Sequence, residues 1–267
     1  LTAAATKVTS ITAAATAGGK LGTTTITPID NEQVYQDDMD AYTALLANTA
    51  TTAKQIDDFA TKLQSDVENA SKARNTAITT ANNLLNSKTK VGGSVLSNFN
   101  TSDDNQEFVF NELKTAADTL RADIKVANTD QITTQKLSDD TKALNTEFTA
   151  VVTAVADSGK AQSAADKYLD EPDVSKVIDQ MSEFLTTSFD RADFEKATAD
   201  LKTATTDAIT ARTKVEGDAA TAIANVNKLP IANDPLLQAA IKDYNDTQTA
   251  ANSGSKANTD HVTTADE

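Results

Sequence analysis

The sequence predicts an all-α protein, an elongated antiparallel helical bundle or coiled coil of three long helices with additional short helices. Over three long segments, apolar residues recur at alternating spacings of four and three, which is the pattern of helices that pack along a seam. Only 8 Gly and 4 Pro interrupt the 267 residues. Ala (45) and Thr (42) dominate and aromatic residues make up 4% of the chain, so it can fill a narrow seam but not a wide core.

The first 28 residues are predicted to form a short helix followed by a linker. Val8 and Ile11 are the large apolar residues of this helix and stand among alanines. The glycines Gly18, Gly19 and Gly22 are interpreted as a helix terminator, because glycine lowers helix stability and accepts the backbone angles of a helix end.

A single helix is predicted from Ile29 to Lys88. Its start carries Asp30 and Gln33 at the spacing of a capping box, in which two side chains each satisfy a backbone N–H. The 4,3 alternation that follows is polar only at Thr49 and Arg74. The seam consists of Met39, Tyr42, Leu46, Thr49, Ala53, Ile56, Ala60, Leu63, Val67, Ala70, Arg74, Ala77, Ala81 and Leu84.

A second long helix is predicted from Asp104 to Ser158. It follows the loop Val91 to Asp103, and we expect it to run antiparallel to the first helix because one connection joins two helices of similar length. Asp104 and Glu107 again have capping-box spacing. The apolar positions are Phe110, Leu113, Ala117, Leu120, Ile124 and Ala127, then Leu137, Thr141, Leu144, Phe148, Val151 and Val155.

A third long helix is predicted over Phe194 to Leu229, where Ala and Val fill most seam positions, Ala211 among them. Before it, residues 161–189 are predicted to form two short helices that break at Glu171 and Pro172. Asp234 followed by Pro235 marks a further helix start, with a hydrogen-bond acceptor at the cap and proline at the first helical position.

The predicted domain organisation has three parts. Residues 1–28 form the N-terminal helix and linker, and residues 29–249 form the elongated helical bundle. Residues 250–267 have almost nothing to bury, so we expect a frayed tail or a linker.

Charge and hydropathy exclude several classes of partner. The chain carries 24 Lys and Arg against 39 Asp and Glu, a net charge of -15, and therefore lacks the basic stripe that nucleic-acid binding requires. It contains no apolar run of about 18 to 20 residues, so we expect no membrane insertion. The absence of Cys excludes disulfide scaffolds and thiolate metal sites.

Candidate catalytic and metal sites are weak. His261, the single histidine, lies in the C-terminal segment that has little to bury, and most carboxylates fall off the seams on solvated helix faces. The polar cluster from Asn100 to Glu107 offers oxygen ligands, but Phe108 stands where a calcium loop needs Gly, and helix capping explains the same residues. We therefore expect no enzymatic activity, no cofactor and no structural metal.

The loop between the first two helices is the predicted binding site. Val95, Leu96 and Phe99 are apolar and lie beside the hydrogen-bonding residues Asn98 and Asn100. Such residues at the end of a helical hairpin either pack onto the end of the bundle or contact a partner, and the sequence leaves both alternatives open.

The chain is rich in Ala, Thr, Asp and Asn, contains long heptads, has more Lys than Arg, and lacks both Cys and Trp. In these features it resembles the helical extracellular regions of Gram-positive cell-surface proteins and adhesins, particularly those of lactic-acid bacteria. The resemblance implies a non-enzymatic role at the cell surface, as an adhesion, receptor-binding or spacer module. Its partners would be protein or glycan at the cell exterior, and self-association is possible. The alternative is a subunit of a surface filament that resembles flagellin.

Overall fold

The computed structural model describes residues 2–86, 90–91, 94–95, 110–127, 132–184 and 189–252. These ranges are mostly helical, which confirms the all-α class. The helices are α1 (Thr2–Ala17), α2 (Gln33–Ala47), α3 (Ala53–Leu85), α4 (Asn111–Ala127), α5 (Thr134–Ala165), α6 (Pro172–Glu183), α7 (Arg191–Val226) and α8 (Pro235–Asn252). Two antiparallel hairpins add β1 (Gly19–Leu21) with β2 (Thr24–Ile26), and β3 (Lys90–Val91) with β4 (Ser94–Val95).

The chain divides into two compact units. Unit 1 comprises the described parts of Leu1–Gln106 and Glu112–Thr149. Unit 2 comprises the described parts of Glu107–Asn111 and Ala150–Glu267. Helix α5 contributes its first half to unit 1 and its second half to unit 2.

Unit 1 begins with α1, which ends where the glycines predict. The Gly18 N–H donates to the Ala14 carbonyl oxygen over 2.9 Å, and Gly18 has a φ of 73°, a conformation that residues with a Cβ rarely adopt. The chain then forms the β1–β2 hairpin, in which Gly22 also has a positive φ. The sequence predicted the helix end but not the hairpin.

The core of unit 1 lies between α1, α2 and α3. Tyr42 of α2 stacks on Phe59 of α3 with 5.3 Å between the ring centroids. The buried cluster contains Val8, Ile11, Ala14, Ala15, Ile26, Ile29, Tyr35, Ile56, Phe59, Ala60, Leu63 and Val67. Small residues at several of these positions allow the helices to approach closely, as the composition indicates.

The predicted helix from Ile29 to Lys88 is wrong as a single element, because it is divided between α2 and α3. Asn48 and Thr51 use their side chains for local bonds: Asn48 Oδ1 accepts from the Ala50 N–H over 3.0 Å, and Thr51 Oγ1 donates to the Leu45 carbonyl oxygen over 2.7 Å. Such bonds compete with the helical backbone bonds and end the helix. The break also changes the seam, since Leu46 is 59% exposed.

The helix starts in unit 1 also differ from the prediction. Asp30 and Gln33 form no capping box: the N-cap of α2 is Glu32, and Gln33 donates instead to Asp37. A complete capping box occurs at the start of α3, between Thr52 and Gln55. The predicted box of Asp104 and Glu107 lies outside the described residues.

The predicted helix from Asp104 to Ser158 is also divided, into α4 and α5. Many of the apolar positions predicted for it are correct, since Leu113, Leu120, Leu137 and Leu144 are fully buried, whereas Ile124, Thr141, Phe148 and Val155 are only partly buried. Helices α3, α5 and α7 each exceed thirty residues. A coiled coil of three continuous long helices is nevertheless not confirmed, because each of the first two predicted helices consists of two.

Unit 2 contains a cluster of four phenylalanines. Phe110 and Phe189 lie edge to face with 4.7 Å between ring centroids, and Phe184 and Phe194 contact the same group. The Asn111 N–H donates to the Phe189 carbonyl oxygen over 2.9 Å and fixes the two segments beside each other. Within unit 2, the cluster packs Phe110 against the start of α7 and the end of α6.

The remaining predictions for unit 2 are partly correct. Helix α7 matches the third predicted helix, and Asp234 caps α8 by accepting from the Leu236 N–H over 2.8 Å. Among its described residues, the segment 161–189 begins with the end of α5 and a short 3₁₀ helix, Asp166–Tyr168, and continues with α6, which begins at Pro172 as predicted. On α7, the predicted seam residue Ala211 is exposed and its neighbour Arg212 is buried.

Candidate functional site

The predicted binding loop is described only in part. Val95 belongs to β4, where its backbone pairs with Lys90 of β3. Leu96, Asn98, Phe99 and Asn100 lie outside the described residues. The loop therefore stays a prediction, and neither the packing nor the contact alternative is decided.

The most concentrated polar chemistry in unit 1 surrounds Arg74. Its side chain is fully buried, and its guanidinium donates to Glu32 Oε1 over 2.7 Å and to Asn31 Oδ1 over 2.7 Å. It also donates to the carbonyl oxygens of Ala127 over 2.9 Å and Ile132 over 2.7 Å. One guanidinium thus joins α3 to the start of α2 and to the connection between α4 and α5.

Glu32 completes this network. Its Oε1 also accepts from the Thr134 N–H over 2.7 Å and from the Thr134 hydroxyl. Glu32 is the N-cap of α2, but its side chain makes no capping hydrogen bond and turns instead to Arg74 and to the first turn of α5. A buried ion pair is tolerated only where such additional hydrogen bonds satisfy both partners.

Unit 2 contains a second buried arginine with the same kind of partner. Arg212 of α7 donates to Glu171 Oε1 over 2.8 Å, and its guanidinium carbon lies 4.7 Å from the centroid of the Tyr168 ring. Glu171 is the N-cap of α6 and, like Glu32, makes no capping hydrogen bond with its side chain. Each unit thus pairs the N-cap glutamate of a short helix with an arginine of the following long helix.

The sequence indicated one of these two arginines. Arg74 stood out as a charged residue on an otherwise apolar seam. Arg212 was missed, because the pattern placed Ala211 on the seam. A usable signal was present: both arginines follow a glutamate by about the same interval, 42 residues for Arg74 and 41 for Arg212.

A second type of network places a lysine between two aspartates. Lys62 of α3 donates to Asp38 of α2 and to Asp66 one turn further along α3. Asp38 is buried, and its Oδ2 has no hydrogen-bond partner among the described residues. Burial raises the pKa of Asp38 above its ordinary value, and the hydrogen bond from Lys62 only partly opposes this effect.

Lys136 repeats this arrangement on α5. It donates to Asp123 of α4 over 2.7 Å and to Asp140 over 2.6 Å. The hydrogen bonds to the two aspartates raise the pKa of Lys136 above its ordinary value. Both networks connect neighbouring helices.

Two shallow grooves flank the exposed face of α3. One, of about 570 Å³, lies beside β2, and the other, of about 480 Å³, extends toward α5. Asn69, Lys72, Thr76 and Thr80 line both grooves. The hydroxyls of Thr76 and Thr80 already donate to carbonyl oxygens one turn earlier in their own helix. Both grooves combine these threonine, asparagine and lysine side chains with a larger share of apolar surface.

A third pocket, of about 290 Å³, lies in unit 2 between α5, α6 and α7. It is lined by Val155, Ile178, Met181 and Phe194, beside the small residues Ser158 and Gly159. Its walls carry no ionisable side chain, so it has no acid, base or nucleophile beyond the serine hydroxyls.

Two further properties concern the described part of the chain. It contains no group of three or more His, Cys, Asp or Glu residues arranged to hold a metal ion. None of its helices combines the length and the apolar composition needed to cross a bilayer. The cluster from Asn100 to Glu107, the calcium candidate of the sequence, lies outside the described residues.

Comparisons with protein-family models, with curated proteins and with solved structures found no match to this chain.

Proposed function

We propose that this chain is a non-enzymatic helical module of an extracellular surface protein, which acts as a spacer or adhesion region in contact with protein or glycan at the cell exterior. The observation that carries the proposal is that the two arginine–glutamate pairs connect helices within each unit. Arg74 and Arg212 are buried, and their pairs with Glu32 and Glu171 join helices to one another. These ion pairs hold the helices of each unit in fixed positions.

The surface of the described helices supports the same proposal. Many threonine hydroxyls donate to the carbonyl oxygen one turn earlier, as Thr79 does to Asn75 over 2.8 Å and Thr203 does to Ala199 over 3.1 Å. These hydroxyls are already paired, and the net charge of -15 keeps the chain solvated. Such a surface resists non-specific association, which suits a module that holds a contact site away from the cell.

The contact site that we propose is the loop containing Val95, Leu96, Asn98, Phe99 and Asn100. The double variant Leu96→Ser/Phe99→Ser tests it, with the purified chain measured against arrays of glycans and of extracellular-matrix proteins. We expect the variant to lose the binding of the native chain at least tenfold while its circular dichroism stays unchanged. Val34→Ser/Leu46→Ser is the matched control, since both residues are exposed elsewhere in unit 1.

Two outcomes would contradict the contact site. If the native chain binds no array component, the adhesion function is wrong for this region. If the variant loses thermal stability together with binding, Leu96 and Phe99 pack onto the helices, and the loop is structural.

The location is tested separately. An antibody against the chain should label intact cells of the source organism, and brief trypsin treatment of intact cells should remove the label. Labelling only after the cells are opened would refute a surface location.

A filament subunit is the second candidate function. The exposed residues Leu229, Ile231 and Leu236 favour it, because they place three large apolar side chains near the connection between α7 and α8. Electron microscopy of the purified chain at increasing concentration and salt decides between the two. Regular filaments would favour the second candidate.

A further inference from the structure

The pocket between α5, α6 and α7 in unit 2 has the composition of a small-molecule site. Its volume is about 290 Å³, and its apolar walls are formed by Val155, Ile178, Met181 and Phe194. Ligand pockets combine mostly apolar walls with a few polar groups that orient the ligand, and pockets for drug-sized molecules begin at about 300 Å³. An apolar cavity of about 150 Å³ binds benzene. The pocket in unit 2 is therefore large enough for one aromatic ring with a short substituent.

The pocket extends from the surface of unit 2 into its interior. Three of the residues that line it are buried: Ser158 is 2% exposed, Phe194 5% and Met181 6%. Two others, Gln162 and Ser182, are exposed. The buried residues form the base of the pocket and the exposed residues form its mouth, so a ligand can enter without unfolding of the unit.

Ser158 brings an available hydrogen-bond donor to this pocket. Its Oγ accepts from Gln162 Nε2 over 3.1 Å, but its hydroxyl donates to no group among the described residues. The hydroxyl of Ser182, by contrast, donates to the Ile178 carbonyl oxygen over 3.0 Å. A buried donor that makes no hydrogen bond costs free energy. An oxygen atom of a ligand bound beside Ser158 would supply the acceptor.

Gly159 leaves the adjoining wall of the pocket without a side chain. A Cβ built at this position would meet no atom within 4 Å. Gly159 lies inside α5, where glycine is less favourable than alanine, and its φ is not positive. Neither close packing nor the backbone conformation therefore requires glycine here, and the missing side chain keeps this wall open.

The charges on and around the pocket define the class of ligand. None of the described residues that line it is ionisable, so a charged ligand would lose its hydration without gaining a partner. The residues next in sequence to the lining include Lys160, Asp179 and Glu183, which are charged and exposed. The centre of a protein interface is depleted of charged residues. A small molecule therefore fits this pocket better than the side chain of a protein partner does.

We infer that the pocket binds a small neutral compound with one aromatic ring and one carbonyl oxygen, which accepts a hydrogen bond from the Ser158 hydroxyl. The apolar walls contact the ring, and the serine orients the carbonyl group. This site is separate from the loop contact proposed above, since the pocket lies in unit 2 and Val95 of the loop lies in unit 1. Failure of one does not affect the other.

Acetophenone is a suitable probe, because it is neutral and combines one ring with one carbonyl oxygen. The chain contains two methionines, so isotope labelling of their methyl groups gives one NMR signal from Met181 in the pocket and one from Met39 in unit 1. We expect acetophenone to shift the Met181 signal saturably and to leave the Met39 signal unchanged. No saturable shift of Met181, or equal shifts of both signals, would overturn the inference.

The hydrogen bond is tested with ethylbenzene, which has the shape of acetophenone without its carbonyl oxygen. Acetophenone should bind the native chain about fivefold more tightly than ethylbenzene does, and Ser158→Ala should remove this preference. Ser158→Ala deletes a single oxygen atom and is expected to leave circular dichroism unchanged. An unchanged preference in the Ser158→Ala variant would refute the role of the hydroxyl.

The position of the site is tested by closing the open wall. Gly159→Leu should weaken acetophenone binding at least about tenfold, because the new side chain takes up space in the pocket. Gly217→Leu is the matched control: Gly217 also lies inside a helix of unit 2, a Cβ there would meet no atom within 4 Å, and it does not line the pocket. Equal binding by the native chain and the Gly159→Leu variant, or an equal loss in the control, would refute the site.

Discussion

At the scale of single residues, two buried arginines, Arg74 and Arg212, connect helices through charged pairs. Each joins a long helix to the N-cap glutamate of a short one, and Arg74 additionally binds two backbone carbonyl oxygens from the α4–α5 connection. A guanidinium is suited to this role because it offers five donors in a fixed plane and stays charged when buried. Lysine would leave several of these acceptors unsatisfied.

The first prediction concerns these arginines. Arg74→Ala and Arg212→Ala should each lower the free energy of unfolding by about 3 to 5 kcal/mol, because each removes the charged partner of a glutamate that is buried, Glu171, or largely buried, Glu32. Urea unfolding followed by circular dichroism measures the change. Arg121→Ala is the control, since Arg121 forms a partly exposed pair with Asp118, and it should cost about 1 kcal/mol or less. An equal effect of all three substitutions would show that burial of the pairs is unimportant.

Asp38 is the residue at which burial and charge conflict. Burial raises its pKa, and the hydrogen bond and charge of Lys62 lower it by less. A carboxyl whose pKa is raised on folding favours the folded state at low pH, and that contribution is lost as the pH rises through the raised pKa. At neutral pH, ionised Asp38 therefore opposes folding relative to its neutral form.

The second prediction follows from the upward shift of the Asp38 pKa. Asp38→Asn keeps the shape of the side chain and removes its charge, so it should be at least as stable as the native chain at pH 7. Its advantage should decrease as the pH falls toward the ordinary aspartate pKa of about 4. Thermal melts from pH 4 to 8 measure the difference. Asp58→Asn, at an exposed pair with Lys54, is the control. A variant less stable than the native chain at pH 7 would show that the Lys62 pair outweighs burial.

At the scale of secondary-structure elements, the break between α2 and α3 is the main departure from the heptad pattern. The 4,3 spacing passes through residues 48–52 without interruption. Asn48, Thr51 and Thr52 nevertheless end one helix and cap the next through their side chains. Local hydrogen bonds decide the outcome here because the seam at this point offers only Thr49 and small residues to bury.

The third prediction tests this break. A continuous heptad would place Leu46 in the core, whereas the observed break leaves Leu46 exposed and packs Leu45 partly against the core of unit 1. Leu45→Ala should therefore cost about 1 kcal/mol or more, and Leu46→Ala less than about 0.5 kcal/mol. Chemical denaturation of the two neighbouring variants gives the comparison directly. A larger cost at Leu46 would indicate an unbroken helix.

At the scale of the whole molecule, the two arginine networks are separate. Glu32 pairs with Arg74 on α3, and Glu171 pairs with Arg212 on α7. The fourth prediction is that Glu32→Gln and Glu171→Gln are additive: the double variant should lose the sum of the two single losses to within about 0.5 kcal/mol. Urea unfolding of the native chain, the two single variants and the double variant gives the double-mutant cycle. A deviation above about 1 kcal/mol would show that the two networks are energetically coupled.

Much of the fold could be predicted from the sequence. The helical class, the helix over Phe194 to Leu229 and the cap at Asp234 all follow from the spacing of apolar residues and from local capping chemistry. The buried positions Leu63, Leu120 and Leu144 were predicted for the same reason. Of the candidate binding residues, only Val95 lies in the described part of the chain, so that site stays a prediction.

The sequence by itself determined many of the residues that face a core, such as Leu63, Leu120 and Leu144, because the periodicity of a helix is a local property. Leu46 and Ala211 are exceptions, since both were predicted on a seam and are exposed. Tertiary structure decided where the helices break and which charges are buried. Arg74 was visible on the seam, but its carboxylate partner lies 42 residues away, and Arg212 was not visible at all. A buried charge is stable only when distant groups satisfy it, so its place depends on contacts that no local pattern contains.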